Sequence, residues 1–120
     1  MRHRNTKATL NRPADVRRAM VRNLLTSLFL YGKVKTTDAR ARVLKSETEK
    51  LVSCARGKDA HNTIREFQKV LTTENACRNA VEFLSTLKKT SGFVRSTKIT
   101  SRDGDGAQVI QVELISPEEK

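Results

Sequence analysis

The sequence predicts an α+β fold, in which about four helices pack on a small mixed sheet behind an extended basic N-terminal arm. Three observations predict it. Apolar residues recur every three or four positions through most of the first 89 residues, as in amphipathic helices. They then alternate with polar residues over 109–115, as in a strand. A turn-forming cluster at 102–106 separates two strand-like segments, so this end of the chain is predicted to be a hairpin.

The arm covers residues 1–12. Leu10 is its sizeable apolar side chain apart from Met1. A segment with so little to bury cannot offset the conformational entropy lost on ordering, so we expect it to be mobile in the isolated protein.

The first helix is predicted to run from about Pro13 to Tyr31 and to stop at Gly32, because proline favours a first turn and glycine a helix end. Three arginines fall mostly off its apolar stripe and form a basic flank: Arg17, Arg18 and Arg22. The stripe itself is Val16, Met20, Leu24 and Leu28, widened by Val21 and Leu25.

A short strand over 33–37 is expected to join the hairpin, whose strands are predicted over 93–101 and 109–115. Thr37 is expected to cap the following helix. Further helices are predicted near 38–56, 59–71 and 73–89. Their apolar faces are Leu44, Leu51, Val52 and Ala55, then Ile64, Phe67 and Leu71, then Cys77, Ala80, Val81, Phe83, Leu84 and Leu87. The predicted organisation is the arm at 1–12, one domain at 13–116 and a short tail at 117–120.

Positive charge is concentrated at one end of the chain. Residues 1–45 hold twelve Lys or Arg against two acids, which accounts for ten of the eleven net positive charges. Such an asymmetric field predicts a polyanionic partner, either nucleic acid or an acidic membrane surface.

Few residues are suited to catalysis. The two histidines are His3 in the arm and His61 near a helix start, and no P-loop, GxGxxG or GxSxG motif is present. Cys54 and Cys77 form no CxxC pair, so we expect two buried thiols rather than a disulfide or a metal site. The segment 103–106 fits a hairpin turn better than a calcium loop. We expect no enzyme, no cofactor, no metal and no small-molecule substrate.

Arginine dominates the basic segment, and its planar fork suits phosphate contacts and base stacking. No apolar run approaches membrane-spanning length, and the apolar helix faces are needed for a shared core, so a membrane partner is disfavoured. Without helix-turn-helix or zinc spacing, structured RNA is favoured. A basic DNA-binding, nucleoid-type protein is the alternative.

Specific residues then indicate a family. They are the opening MRHR, Leu10-Asn11-Arg12, Arg17, Ala19-Met20, Arg22-Asn23-Leu24, Ser27-Leu28, Val34-Lys35-Thr36-Thr37 and Ala39-Arg40-Ala41-Arg42, with Gly92-Phe93-Val94-Arg95, Gly104-Asp105-Gly106-Ala107 and Val112-Glu113-Leu114 later. In order and spacing this set closely resembles the bacterial large-subunit ribosomal protein family numbered seventeen. The resemblance covers nearly the whole chain and is strongest over 1–42.

The resemblance implies a structural constituent of the large ribosomal subunit that binds large-subunit (23S) ribosomal RNA near the polypeptide exit tunnel, beside neighbouring large-subunit proteins. It implies a bacterial cytoplasmic ribosome, with an organellar one left open. The RNA contacts it implies are Arg2, His3, Arg4, Arg12, Arg17, Arg22, Lys35, Thr36, Arg40 and Arg42, with Arg95 as an outlying candidate. The charge pattern adds Lys7 and Arg18.

Five positions depart from the family pattern. Val16 stands where members commonly have His, Gly32 where Glu is frequent, and Val43 where Glu often follows the basic run. The basic pair of that run is usually Lys, whereas here it is Arg40 and Arg42, which keeps the charge. The middle of the chain, 58–89, matches loosely and is assigned no RNA contact.

Overall fold

A computed structural model of the chain describes residues 3–115 and shows four helices and three strands. The predicted contact Arg2 and the predicted tail at 117–120 lie outside the described residues. The elements are α1 (Ala14–Tyr31), β1 (Lys33–Thr37), α2 (Asp38–Ala55), α3 (Ala60–Val70), α4 (Glu74–Thr86), β2 (Val94–Ser101) and β3 (Gln108–Leu114). The α+β class is confirmed, and α4 ends three residues earlier than predicted.

The three strands form one sheet in the order β1-β3-β2. Both β1 and β2 pair antiparallel with β3, and Val34 and Ser96 lie on either side of Val112. The sheet is therefore antiparallel throughout rather than mixed, because β1 and β2 run in the same direction but are never neighbours. The register of β2 shifts between Lys98 and Thr100, which marks a bulge at Ile99.

Gly32 joins α1 to the sheet. Its φ of 75° is a left-handed conformation that glycine adopts without a Cβ clash, and its N–H donates to the Leu28 carbonyl oxygen at 2.8 Å. Its own carbonyl accepts from the Leu114 N–H at 3.0 Å. The end of α1 and the start of β1 are thus held against the end of β3.

Helix caps differ from the prediction at one site. Thr37 occupies the N-cap of α2, but its side chain makes no capping hydrogen bond, so this prediction is wrong in its chemistry. At the start of α4 the Thr73 hydroxyl does accept from the Ala76 N–H, at 3.3 Å.

The core lies where α1, α2, α3, α4 and the sheet meet. Phe29 contacts Phe67 and Phe83 edge-to-face, with ring centroids 6.0 and 6.3 Å apart. Six large core side chains are fully buried: Leu28, Leu44, Val52, Phe67, Phe93 and Val112.

Some predicted core residues are not buried. Val16 is 47% exposed and Met20 is half-buried, because the core forms around the C-terminal half of α1 through Leu25, Leu28 and Phe29. Ile64 is 39% exposed, because α3 buries a narrow stripe through Thr63 and Phe67.

Cys54 is exposed, because it lies off the stripe that α2 buries, so its predicted burial is wrong. Cys77 is buried as predicted, and both thiols are free. Burial raises the pKa of the Cys77 thiol, and the nearby Glu74 carboxylate adds to the effect.

Candidate nucleic-acid interface

Residues 6–12 of the N-terminal arm fold back beside the first two helices. A turn in which the Arg12 N–H donates to the Thr9 carbonyl oxygen at 3.1 Å precedes α1, and Leu10 and Asn11 in it have φ near 50°. This reversal brings residues 6–8 alongside α1 and α2, where they line a common groove.

We call this the arm groove. It is an open cavity of about 660 Å³ between the arm, α1 and α2. Its floor is partly apolar, with Val21, Leu25, Val43 and Val70, and Glu47 is the acid in its lining. Six cations from three chain segments surround it: Lys7, Arg17, Arg18, Arg22, Arg42 and Lys50.

Helical spacing explains how α1 and α2 form the groove. Both helices line it with the same pattern of positions, i, i+1, i+4, i+5 and i+8, which marks one face of an α-helix. The positions are 17, 18, 21, 22 and 25 on α1 and 42, 43, 46, 47 and 50 on α2. Because these two faces lie side by side, the cations of both helices line the same arm groove.

Several of these cations also make hydrogen bonds or ion pairs with other groups of the protein. The Arg22 Nε donates to the Val70 carbonyl oxygen at 3.0 Å, and the Arg17 Nη1 to the Arg12 carbonyl oxygen at 3.3 Å. A guanidinium carries five N–H donors, so each arginine keeps others for a ligand. The Lys50 ammonium lies 2.8 Å from a Glu47 oxygen, which offsets its charge.

A second basic surface lies on one face of the sheet. Lys33 and Arg95 flank Glu113 in the same cross-strand row, so all three side chains point to the same face, and Lys35 follows on that face two residues along β1. The Arg95 guanidinium is 3.3 Å from the Glu113 carboxylate. The structure thus places two predicted contacts, Lys35 and Arg95, together although 60 positions separate them in the chain.

The other predicted contacts are more dispersed. Thr36 lies on the opposite sheet face from Lys35, because side chains alternate along a strand. Arg40 is half-buried on the first turn of α2, away from the arm groove lining. His3, Arg4 and Arg12 are exposed in the arm. Five predicted residues therefore meet in the arm groove: Lys7, Arg17, Arg18, Arg22 and Arg42.

Sequence reasoning missed Lys50 in the groove and Lys33 on the sheet face. Lys50 lies eight residues after Arg42, and this helical spacing indicates that both side chains lie on the same face of α2. It also missed Glu49, whose carboxylate accepts from the backbone N–H groups of Phe93 and Val94 at 2.7 and 3.2 Å. This contact ties α2 to the first residue of β2, and no local pattern announces it.

The described part of the chain offers neither a membrane-spanning helix nor a cluster of metal ligands. None of the helices there is long and apolar enough to cross a membrane. Within residues 3–115, no group of three or more His, Cys, Asp or Glu is arranged to hold a metal ion.

Comparison with known proteins identifies the family. The family model described as ribosomal protein L17 matches residues 20–115. Large ribosomal subunit protein bL17 from Clostridium perfringens strain 13 is 36% identical over 108 residues, covering 88% of this chain and 95% of the relative. The bL17 of Clostridium botulinum strain Hall matches with the same identity and coverage. With most of its length matched by both comparisons, the chain belongs to the ribosomal protein L17 family.

Proposed function

We propose that this protein is a structural constituent of the large ribosomal subunit. It binds large-subunit (23S) ribosomal RNA through its basic arm and first two helices, near the polypeptide exit tunnel and beside other large-subunit proteins. The observation that carries the proposal is the arm groove, where six cations from three chain segments line one open cavity. The relatives named above are large-subunit proteins, which supports the assembly.

Binding in the groove is electrostatic. Arg17, Arg18 and Arg22 offer planar, multiply donating groups to phosphate oxygens. Neutralising about six phosphates gives a log–log slope of affinity against salt of roughly −4 to −5.

The first experiment is sedimentation of tagged protein from a cell lysate on a sucrose gradient, at moderate salt with magnesium, with and without ribonuclease. Co-migration with the large subunit that is lost after ribonuclease is the expected result. Migration as a small free protein contradicts the proposal. Migration with DNA instead supports the nucleoid-type alternative.

The groove itself is tested by replacing Lys7 and Arg18 together with alanine. Both are exposed, and the single ion pair of Arg18, with Asp15 at 3.8 Å, is on the surface, so the fold should be retained. The matched control replaces Lys88 and Lys89, which are exposed and equal in charge. We expect binding of large-subunit RNA to weaken by roughly five- to eightfold per lost phosphate contact near 0.1 M salt. Equal weakening of RNA binding in both variants would show that binding depends on the net charge of the protein and not on the arm groove.

The location near the exit tunnel is tested by crosslinking. A stalled nascent chain that carries a photoreactive residue just outside the tunnel should crosslink to this protein at some chain lengths. Crosslinks to other large-subunit proteins at every length, with none to this one, would contradict the location.

A further inference from the structure

A second basic cavity lies on the other side of Arg42 from the arm groove. It measures about 260 Å³ and opens between the first turns of α2 and the β2-β3 hairpin. Helical spacing places its α2 residues on one face, since Asp38, Arg42 and Lys45 are four and three positions apart. We call it the hairpin cleft and define it by Asp38, Arg42, Lys45, Ser96, Lys98 and Ile110.

The hairpin wall of this cleft is unusually polar. In β2, Val94 is buried and every residue from Arg95 to Ser101 is exposed. Lys98 is the cross-strand neighbour of buried Ile110, so it occupies a position on the α2-facing side where a core strand would carry an apolar residue. This part of β2 contributes little to the core and presents lysine and hydroxyl groups instead.

The positive charge of the cleft is only partly compensated among residues 3–115. Asp38 is the acid in the lining, and its carboxylate pairs with Arg42 at 2.7 Å. Over residues 3–115, Lys45 and Lys98 have no salt bridge, whereas three lysines nearer the middle of the chain are paired with glutamates: Lys50, Lys58 and Lys69.

The walls of the cleft are held in a defined geometry. The Glu49 carboxylate on α2 accepts the N–H groups of Phe93 and Val94, at the start of β2. The backbone segments that carry Lys45 and Lys98 are therefore held relative to each other before any ligand binds, which lowers the entropic cost of binding an anion between them.

We propose that the hairpin cleft binds backbone phosphates of ribosomal RNA through Lys45 and Lys98, at an RNA segment distinct from the one in the arm groove. The inference rests on the proposed function and extends it to a second RNA contact. Because Arg42 lines both cavities, α2 lies between the two RNA segments and holds them at a set separation.

Directed hydroxyl-radical cleavage tests the two segments separately. Exposed Cys54 is first replaced by serine, leaving buried Cys77. An iron chelate is then attached to Thr6→Cys in the arm groove or Ser101→Cys at the outer end of β2, and the protein is bound to large-subunit RNA. We expect cleavage of two different segments. Cleavage from position 6 but not 101, or of one common segment, overturns this inference alone. No cleavage from either position contradicts the proposed function.

Affinity provides the second test. Lys45→Ala with Lys98→Ala should weaken RNA binding roughly five- to eightfold per lysine near 0.1 M salt and make the salt slope shallower by about 1 per lysine. Lys88→Ala with Lys89→Ala is the charge-matched control, and circular dichroism checks that both variants are folded. A loss no larger than that of the control would overturn the inference.

Discussion

At the scale of single residues, Arg22 has two roles. Its Nε–H bond to the Val70 carbonyl oxygen links α1 to the end of α3, and its remaining N–H groups lie in the arm groove. One side chain can serve both roles because guanidinium has several donors in a fixed plane, whereas a lysine ammonium at this position would not offer the same fork. An RNA-binding defect of an Arg22 variant therefore needs to be separated from loosening of this contact.

Glu49 is expected to be a stabilising residue outside the arm groove and the hairpin cleft. Glu49→Ala leaves two backbone N–H groups at the start of β2 without their acceptor, so the free energy of unfolding should fall by about 1.5–3 kcal/mol. Urea denaturation measures the loss. Glu47→Ala is the control, since it removes only a surface ion pair and should cost less than about 1 kcal/mol. Equal losses would contradict the anchoring role of Glu49.

Asp105 in the hairpin turn is expected to titrate at unusually low pH. Hydrogen bonds from Arg102, and then from the Ala107 N–H, lower the pKa of its carboxyl from 3.8 to about 2. Because the folded-state pKa is lowered, the stability from this contact is present above the ordinary pKa and is lost as pH falls through about 2. Carbon-13 NMR of the Asp105 carboxyl should show this midpoint, and Arg102→Gln should raise it. A midpoint near 3.8 in the unmodified protein would contradict the contact.

At the scale of elements, α1 divides into two functional halves. Its C-terminal half packs in the core through Leu25, Leu28 and Phe29. Its N-terminal half places arginines beside the arm and leaves Val16 exposed. The helix therefore spans from the core to the arm groove.

The two halves should respond differently to truncation of apolar side chains. Leu28→Ala removes a fully buried side chain and should lower the free energy of unfolding by about 2–5 kcal/mol. Val16→Ala, at a position 47% exposed, should stay within about 0.5 kcal/mol. Chemical denaturation of both variants distinguishes them. A loss at Val16 comparable to that at Leu28 would mean that the N-terminal half of α1 is covered in solution.

At the scale of the whole molecule, family membership confirms the predicted ribosomal family and the prediction of a non-enzymatic structural protein. The asymmetric charge of the chain becomes a spatial asymmetry. The arm, α1 and α2 carry the groove, whereas α3 and α4 pair several of their charges internally, as in the contact of Glu66 with Lys58 and Lys69. Those two lysines lower the pKa of the Glu66 carboxyl.

Removal of residues 1–12 should abolish stable association with the large subunit while leaving the domain folded. Within the deleted segment, the described residues 3–12 carry one wall of the arm groove and Lys7, but none of the buried core residues. Gradient sedimentation measures association, and thermal unfolding of the purified protein measures folding. Normal incorporation of the truncated protein into subunits would contradict this prediction.

Local pattern by itself determined the order and type of the elements. Short-range preferences of the chain are visible in the 3.6-residue periodicity, in Gly32 and in the turn cluster at 102–106. The helices and strands predicted from them are confirmed. The predicted set of cations also included five that line the arm groove, since charge is visible in composition.

Only the tertiary structure decided which of these residues meet. Periodicity identifies the apolar face of a helix, but it does not tell how far along that face other elements pack. Val16 and Ile64 lie on such faces and are therefore predicted to be in the core, whereas in the structure they are exposed. Long-range contacts such as Glu49 with the start of β2, and the juxtaposition of Lys45 with Lys98, join residues more than 40 positions apart. Such contacts follow from how whole elements pack, which no local spacing encodes.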